Sequence, residues 1–124
     1  MNRTSTRRPG DQGAGSVTVL ATVFLTLALL GATAALGTAA TAAARASGAA
    51  DLAALAAADA ARGLALAEPC ALAAQTADRH GATVIECAAA SDGTVLVRTR
   101  YESPLPWPSE GVARAGPPAS TVPR

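Results

Sequence analysis

Few residues in this chain have types that could do chemistry. Cys70 and Cys87 are its two cysteines and His80 its single histidine. There is no Cys-x-x-Cys pair for thiol redox work, and no Cys/His cluster has zinc-ligand spacing. The cysteines therefore read as a structural disulfide, provided that this part of the chain is exported to an oxidising compartment. On the chain-entropy model, a loop of this length contributes about 3 kcal/mol by restricting the unfolded chain. For a small domain that is a large share of total stability. His80 precedes Gly81 and reads as a helix-end residue before a left-handed glycine cap. It has no partner constellation that would make it a catalytic base. Asp59 and Arg62 stand three apart and read as a solvated helical pair rather than a site. There is no nucleophile–base pair and no phosphate loop. Nothing brings together any two of the nine acidic residues. The expectation is a protein that is not an enzyme, with no cofactor, no metal and no small-molecule substrate.

The elements that must position the cysteines begin with an apolar run. Val17 to Ala44 contains no charged residue. From Val17 to about Leu36 or Ala40 it meets the roughly 20 residues needed to cross a bilayer core. Thr18, Thr22, Thr26 and Thr33 fit such a span, because a threonine hydroxyl can bond a carbonyl one turn earlier. Gly31 and Ala35 form a small-xxx-small pair, a spacing that alanine-rich sequence also produces by chance. Arg3, Arg7 and Arg8 precede the run, with Asp11 the one acidic residue before it. Positive charge on that flank favours its cytoplasmic retention. The expectation is a single-pass cell-membrane protein, N-terminus cytoplasmic and C-terminus extracytoplasmic. The rival is a cleaved signal peptide ending near Ala32-Thr33-Ala34, which would release a secreted small disulfide-tied binding protein. Net charge is +1 and every basic side chain is arginine. No nucleic-acid partner is indicated.

Alanine dominates from Thr38 to Leu66 and favours helix. The anchor is therefore expected to continue as one helix from Val17 to Leu66, on the order of 75 Å long at its usual rise. Gly63 offers a loosening or a stop. Leu52, Leu55, Asp59, Arg62 and Leu66 make a weak stripe that could pack a partner helix. Pro69 suits the first position of a second helix, with Cys70, Ala73, Ala74 and Ala77 on one face. Thr83 to Ala89 and Thr94 to Tyr101 read as a hairpin around Ser91-Asp92-Gly93. A two-residue loop would set Cys87 opposite Arg98, mixing apolar and charged groups. A three-residue loop sets Ile85, Cys87 and Ala89 on one face with Thr99, Val97 and Val95, and Glu86 opposite Arg98. It also gives Gly93 the left-handed position. We therefore expect the three-residue register.

The expected architecture is α+β. Residues 1–16 form a cytoplasmic basic leader and 17–66 a transmembrane and alanine-rich long helix. Residues 67–102 form a small extracytoplasmic helix–hairpin module, and 103–124 a disordered Pro-rich tail. Within that tail, Ser-Pro-Leu-Pro-Trp-Pro reads as extended chain. Trp107 there would either cover the sheet or sit at a membrane interface. Glu110 to Ala115 could add a short edge strand.

Three stretches carry a family resemblance. Gly13 to Ala21 (Gly-Ala-Gly-Ser-Val-Thr-Val-Leu-Ala) opens the anchor. Ala49 to Ala58 (Ala-Ala-Asp-Leu-Ala-Ala-Leu-Ala-Ala-Ala) closes the alanine-rich region, and Ala113 to Pro117 lies near the C-terminus. The chain resembles the TadE/TadG-like proteins of Flp (tight adherence) pilus assembly, most closely an actinobacterial secretion-neighbourhood TadE-like group. The N-terminal likeness covers about the first half of the chain. It implies a single-pass, pseudopilin-like protein working beside other Tad-type pilus or secretion components. In such pseudopilins a prepilin peptidase cuts after a glycine, and a glutamate follows five residues on. Gly13 matches that glycine, and Ala14 would be first after the cut. Thr18 stands where the glutamate would be, a departure from the pattern.

Overall fold

The computed structural model describes residues 13–118. Most of the basic leader, with Arg3, Arg7, Arg8 and Asp11, lies outside the described residues, as does 119–124. Five elements follow in order: α1 (Ala14–Ala61), α2 (Pro69–Arg79), β1 (Ala82–Ala89), β2 (Val95–Tyr101) and β3 (Ser109–Ala115). The strands form one antiparallel sheet in the order β1-β2-β3. The fold is α+β, with a long apolar N-terminal helix. The chain divides into two compact units, Met1–Gly37 and Thr38–Arg124.

In the first unit, every large apolar side chain from Val17 to Leu36 is exposed, Phe24 at 78%. Side chains advance about 100° per residue round a helix, so this run is apolar on all sides rather than along one stripe. The threonines satisfy their own hydroxyls. Those of Thr22 and Thr26 donate to carbonyls three and four residues back at 2.8 and 3.0 Å. The Thr33 hydroxyl donates to the Leu30 carbonyl at 2.9 Å. These three hydroxyls are thereby paired within the helix.

In the second unit, α1 buries an alanine face. Ala42, Ala46, Ala49, Ala50, Ala53, Ala54, Ala57 and Ala58 are all buried. With Ala73 and Ala77 of α2 and Val95, Val97 and Ala113 of the sheet, the later ones make the core. Leu52, Leu55 and Leu66 of the leucine stripe are exposed, and the face packed within this unit is alanine. A face of methyl groups lets backbones approach closely. The buried Thr99 hydroxyl donates to the Ala46 carbonyl at 2.8 Å. Gly111 lies so near α1 that a Cβ there would sit 2.6 Å from the Ser47 nitrogen and closer still to the Ala46 carbonyl.

The long helix stops at Ala61, five residues short of the expected Leu66. Gly63 takes φ +76°. Its N–H donates to the Ala60 carbonyl and that of Leu64 to the Asp59 carbonyl, both at 2.9 Å. That pair of bonds is a Schellman cap, which closes the helix with glycine in the left-handed region. The stop offered by Gly63 outweighs the alanine propensity beyond it.

The hairpin closes in the three-residue register. Glu86 pairs with Arg98, Cys87 with Val97 and Ala89 with Val95. Gly93 has φ +81°, and the Ala90 N–H donates to the Thr94 carbonyl at 2.7 Å. The register shifts between Val84 and Glu86, so Val84 rather than Ile85 stands opposite Thr99. Ile85 is the bulge residue and is exposed, which corrects its expected inward position. An extra residue in one strand reverses the alternation beyond it, keeping both Val84 and Cys87 against the core. Ala89 has the expected partner but is exposed at the hairpin end. In the tail, Ser109–Ala115 forms β3 and completes the sheet, as the possible edge strand at Glu110 to Ala115 implied, which takes these residues out of the 103–124 segment expected to be disordered.

Two glycines make opposite predictions. Gly48 is helical with nothing near its missing Cβ. Gly48→Ala should stabilise by about 0.5–1 kcal/mol, the usual helical glycine cost. Gly111→Ala should destabilise by about 1–3 kcal/mol through forced separation of sheet and helix. Thermal midpoints of the full chain in detergent micelles, followed by circular dichroism, check both signs.

Candidate functional site

The chemistry-bearing residues cluster in the second unit. Glu68 caps α2: its carboxylate accepts the Ala71 N–H at 2.7 Å. Pro69 follows in the first turn and sets Cys70 at the helix start. Cys87 lies mid-strand in β1, half-buried against the core. The two cysteines are joined, with their Cα atoms 5.8 Å apart. That separation lies in the ordinary disulfide range. The bond ties α2 to the sheet across a sequence separation of 17. At the other end of α2, the His80 N–H donates to the Ala77 carbonyl at 2.9 Å. Gly81 follows with φ +72°, as the cap reading requires.

The other face of the sheet carries ion pairs. Arg98 Nε lies 3.2 Å from Glu86 Oε2, although that N–H is not aimed well enough for a hydrogen bond. Arg100 donates to Glu110 at 3.0 Å. Asp59 and Arg62 pair at 2.7 Å across the end of α1, as their spacing implied. All are substantially exposed, so each is a weak contributor. The Arg100–Glu110 pair joins β2 to β3, whose register sets the two residues opposite each other.

A shallow pocket opens near the hairpin end, lined by Ala88, Ala89, Ala90, Asp92, Thr94, Leu96 and Arg114. Its acidic group serves the turn. Asp92 Oδ1 accepts the Thr94 N–H at 2.8 Å. That bond, with the Thr94 hydroxyl second and Arg114 a smaller influence, holds the Asp92 carboxyl below its ordinary value of 3.8. Among the described residues, no three His, Cys, Asp or Glu side chains gather closely enough to hold a metal ion.

Sequence reasoning missed one cluster. Arg45 donates to the Tyr101 hydroxyl at 2.8 Å and lies over its ring, 5.7 Å from the centroid. Beside it stand the Thr99–Ala46 bond and Gly111. The alternation Val95, Val97, Thr99 was the available signal that Thr99 faces inward. Nothing local linked it to a residue more than fifty positions earlier.

The three processing positions lie at the beginning of α1. Gly13 is exposed in the turn before the helix, and its carbonyl accepts the Val17 N–H at 3.4 Å. Ala14 is the first helical residue. Thr18 is exposed, and its carbonyl accepts the Thr22 hydroxyl. Comparison with family models, with characterised proteins and with solved structures returns no match.

Removing the disulfide should cost about 3 kcal/mol on the entropic model. Urea unfolding of oxidised chain against the Cys70→Ser/Cys87→Ser double variant measures it, and equal midpoints would show a bond without structural weight. Asp92 gives a pH test. Its folded carboxyl is lowered, so its stabilisation is full above the unfolded aspartate value of about 3.9. It is lost as pH falls through the lower folded value. Asp92→Asn keeps an acceptor but cannot titrate. The thermal-midpoint advantage of the natural chain over this variant should shrink as pH falls below about 4.

Proposed function

We propose that this chain is a membrane-anchored, pseudopilin-like structural or assembly component of a Tad/Flp-type pilus or secretion system. Its N-terminus stays in the cytoplasm and its disulfide-tied module lies outside. The observation that carries the anchor is the first part of α1. An apolar surface on every side of a helix, with none of its most apolar window buried, suits lipid rather than a protein core. Threonines that bond back to their own helix support the same reading, because hydrocarbon offers no other partner. The Cys70–Cys87 bond fits the oxidising side of the membrane.

The Tad-type assignment rests on the likeness at Gly13 to Ala21 and Ala49 to Ala58. In the second stretch Ala49, Ala50, Ala53, Ala54, Ala57 and Ala58 are buried while Asp51, Leu52 and Leu55 are exposed. The alanine pattern thus has a packing role. Thr18 supplies no carboxylate to neutralise a neighbour's N-terminal amine, which favours an accessory subunit that remains anchored over one that polymerises. Its work is then to hold a small stapled module at the outer membrane surface and to pack beside other components of the apparatus.

The N-terminal residue and membrane partition of the mature protein test this. A start at Ala14 with firm retention is the expected result. An intact Met1 with retention keeps the anchor and removes prepilin-type processing. A start between Ala35 and Arg45 in the culture fluid overturns the proposal in favour of a secreted binding protein. Leu27→Arg places a charge mid-span at a cost of about 2.5–3.5 kcal/mol and should sharply lower the membrane-retained fraction.

A further inference from the structure

The chain's only tryptophan, Trp107, sits on the loop joining β2 to β3, is 61% exposed, and is not among the residues packed in the core cluster. Within the second unit, β2 runs antiparallel to the packed part of α1. Val95 and Val97 meet the alanine cluster that includes Ala50 to Ala58, Thr99 meets Ala46, and Tyr101 meets Arg45. The chain leaves the sheet after Tyr101 and re-enters at Ser109, its pairing partner. The loop therefore emerges at the end of the module where this part of α1 begins. Only Gly37 to Ala44 separates the last leucine of the apolar run, Leu36, from Arg45.

The loop's chemistry suits an interface. From Ser103 to Ser109 it carries no charge, and Pro104, Pro106 and Pro108 restrict its backbone around Leu105 and Trp107. An indole has an apolar body and one N–H donor, so it gains most where acyl chains meet headgroups. The charges that flank the loop are Glu102 and Glu110, and Glu110 is paired with Arg100.

We propose that Trp107 is a second membrane contact. It seats at the headgroup–acyl boundary and fixes the outer module against the bilayer that α1 crosses. This rests on the anchor reading above. The contact needs no anionic lipid, because the loop from Ser103 to Ser109 carries no cationic side chain.

Because Trp107 is the sole tryptophan, its emission reports this loop alone. The full chain is reconstituted in phosphatidylcholine vesicles whose acyl chains carry bromine either near the headgroup or near the chain end. Flotation of the vesicles is read in the same samples. The expected result is flotation, emission at shorter wavelength than in the urea-unfolded chain, and greater loss to shallow bromine than to deep. Adding phosphatidylserine should leave this unchanged. Flotation with no bromine quenching, whether iodide reaches the indole or not, overturns the proposal and leaves the anchor intact. Stronger quenching by deep bromine also overturns the interfacial seat. Failure to float removes the anchor reading and this proposal together.

Discussion

The module depends on how closely a sheet can approach a helix that presents only methyl groups. The alanine face of α1 brings the Thr99 hydroxyl to the Ala46 carbonyl and leaves no room for a side chain at Gly111. Larger residues on α1 would hold the strands away and break that contact. The same choice limits what the core can contribute. Val95, Val97 and Thr99 are the largest fully buried side chains, and alanine removes little apolar area from water. Many short contacts must do what a few leucines or phenylalanines do elsewhere.

This constraint explains the other devices. A thin core gains from a covalent tie between α2 and β1, because a disulfide restricts the unfolded chain without needing apolar volume. The bulge at Ile85 keeps Val84 and Cys87 facing inward on a strand too short to spare either. The Gly63 cap ends α1 where its packed face ends, and Glu68 with Pro69 starts α2 soon after. The first part of α1 has the opposite character: large side chains on every side and no packed face.

Local chemistry was legible in the sequence; partnership at long range was not. Opposite charges at Glu86 and Arg98 and the left-handed Gly93 selected the hairpin register correctly. Pro69 and Gly81 marked the ends of α2, and two lone cysteines read as a pair that the structure joins. The bulge escaped notice because strict alternation placed Ile85 inward, and only the core contacts of Val84 decide otherwise. β3 was legible only as a possible edge strand, because prolines precede it and Ser109–Ala115 has little strand propensity of its own. Its pairing to β2, and Gly111 fitting under α1, outweigh that weakness. Leucines drew attention on α1, whereas the buried face is made of the residues that seemed only to favour helix.

The central proposal is that α1 serves two solvents, lipid from Val17 to Leu36 and the alanine-lined protein core that it packs from Ala42 to Ala60. Amide hydrogen exchange along α1, in the full chain reconstituted in phosphatidylcholine vesicles, tests this most directly. The account predicts strong protection from Val17 to Leu36 that persists when urea and reductant open the disulfide-tied module. Protection from Ala42 to Ala60 should collapse under the same treatment. Rapid exchange between Val17 and Leu36 in intact vesicles would contradict it.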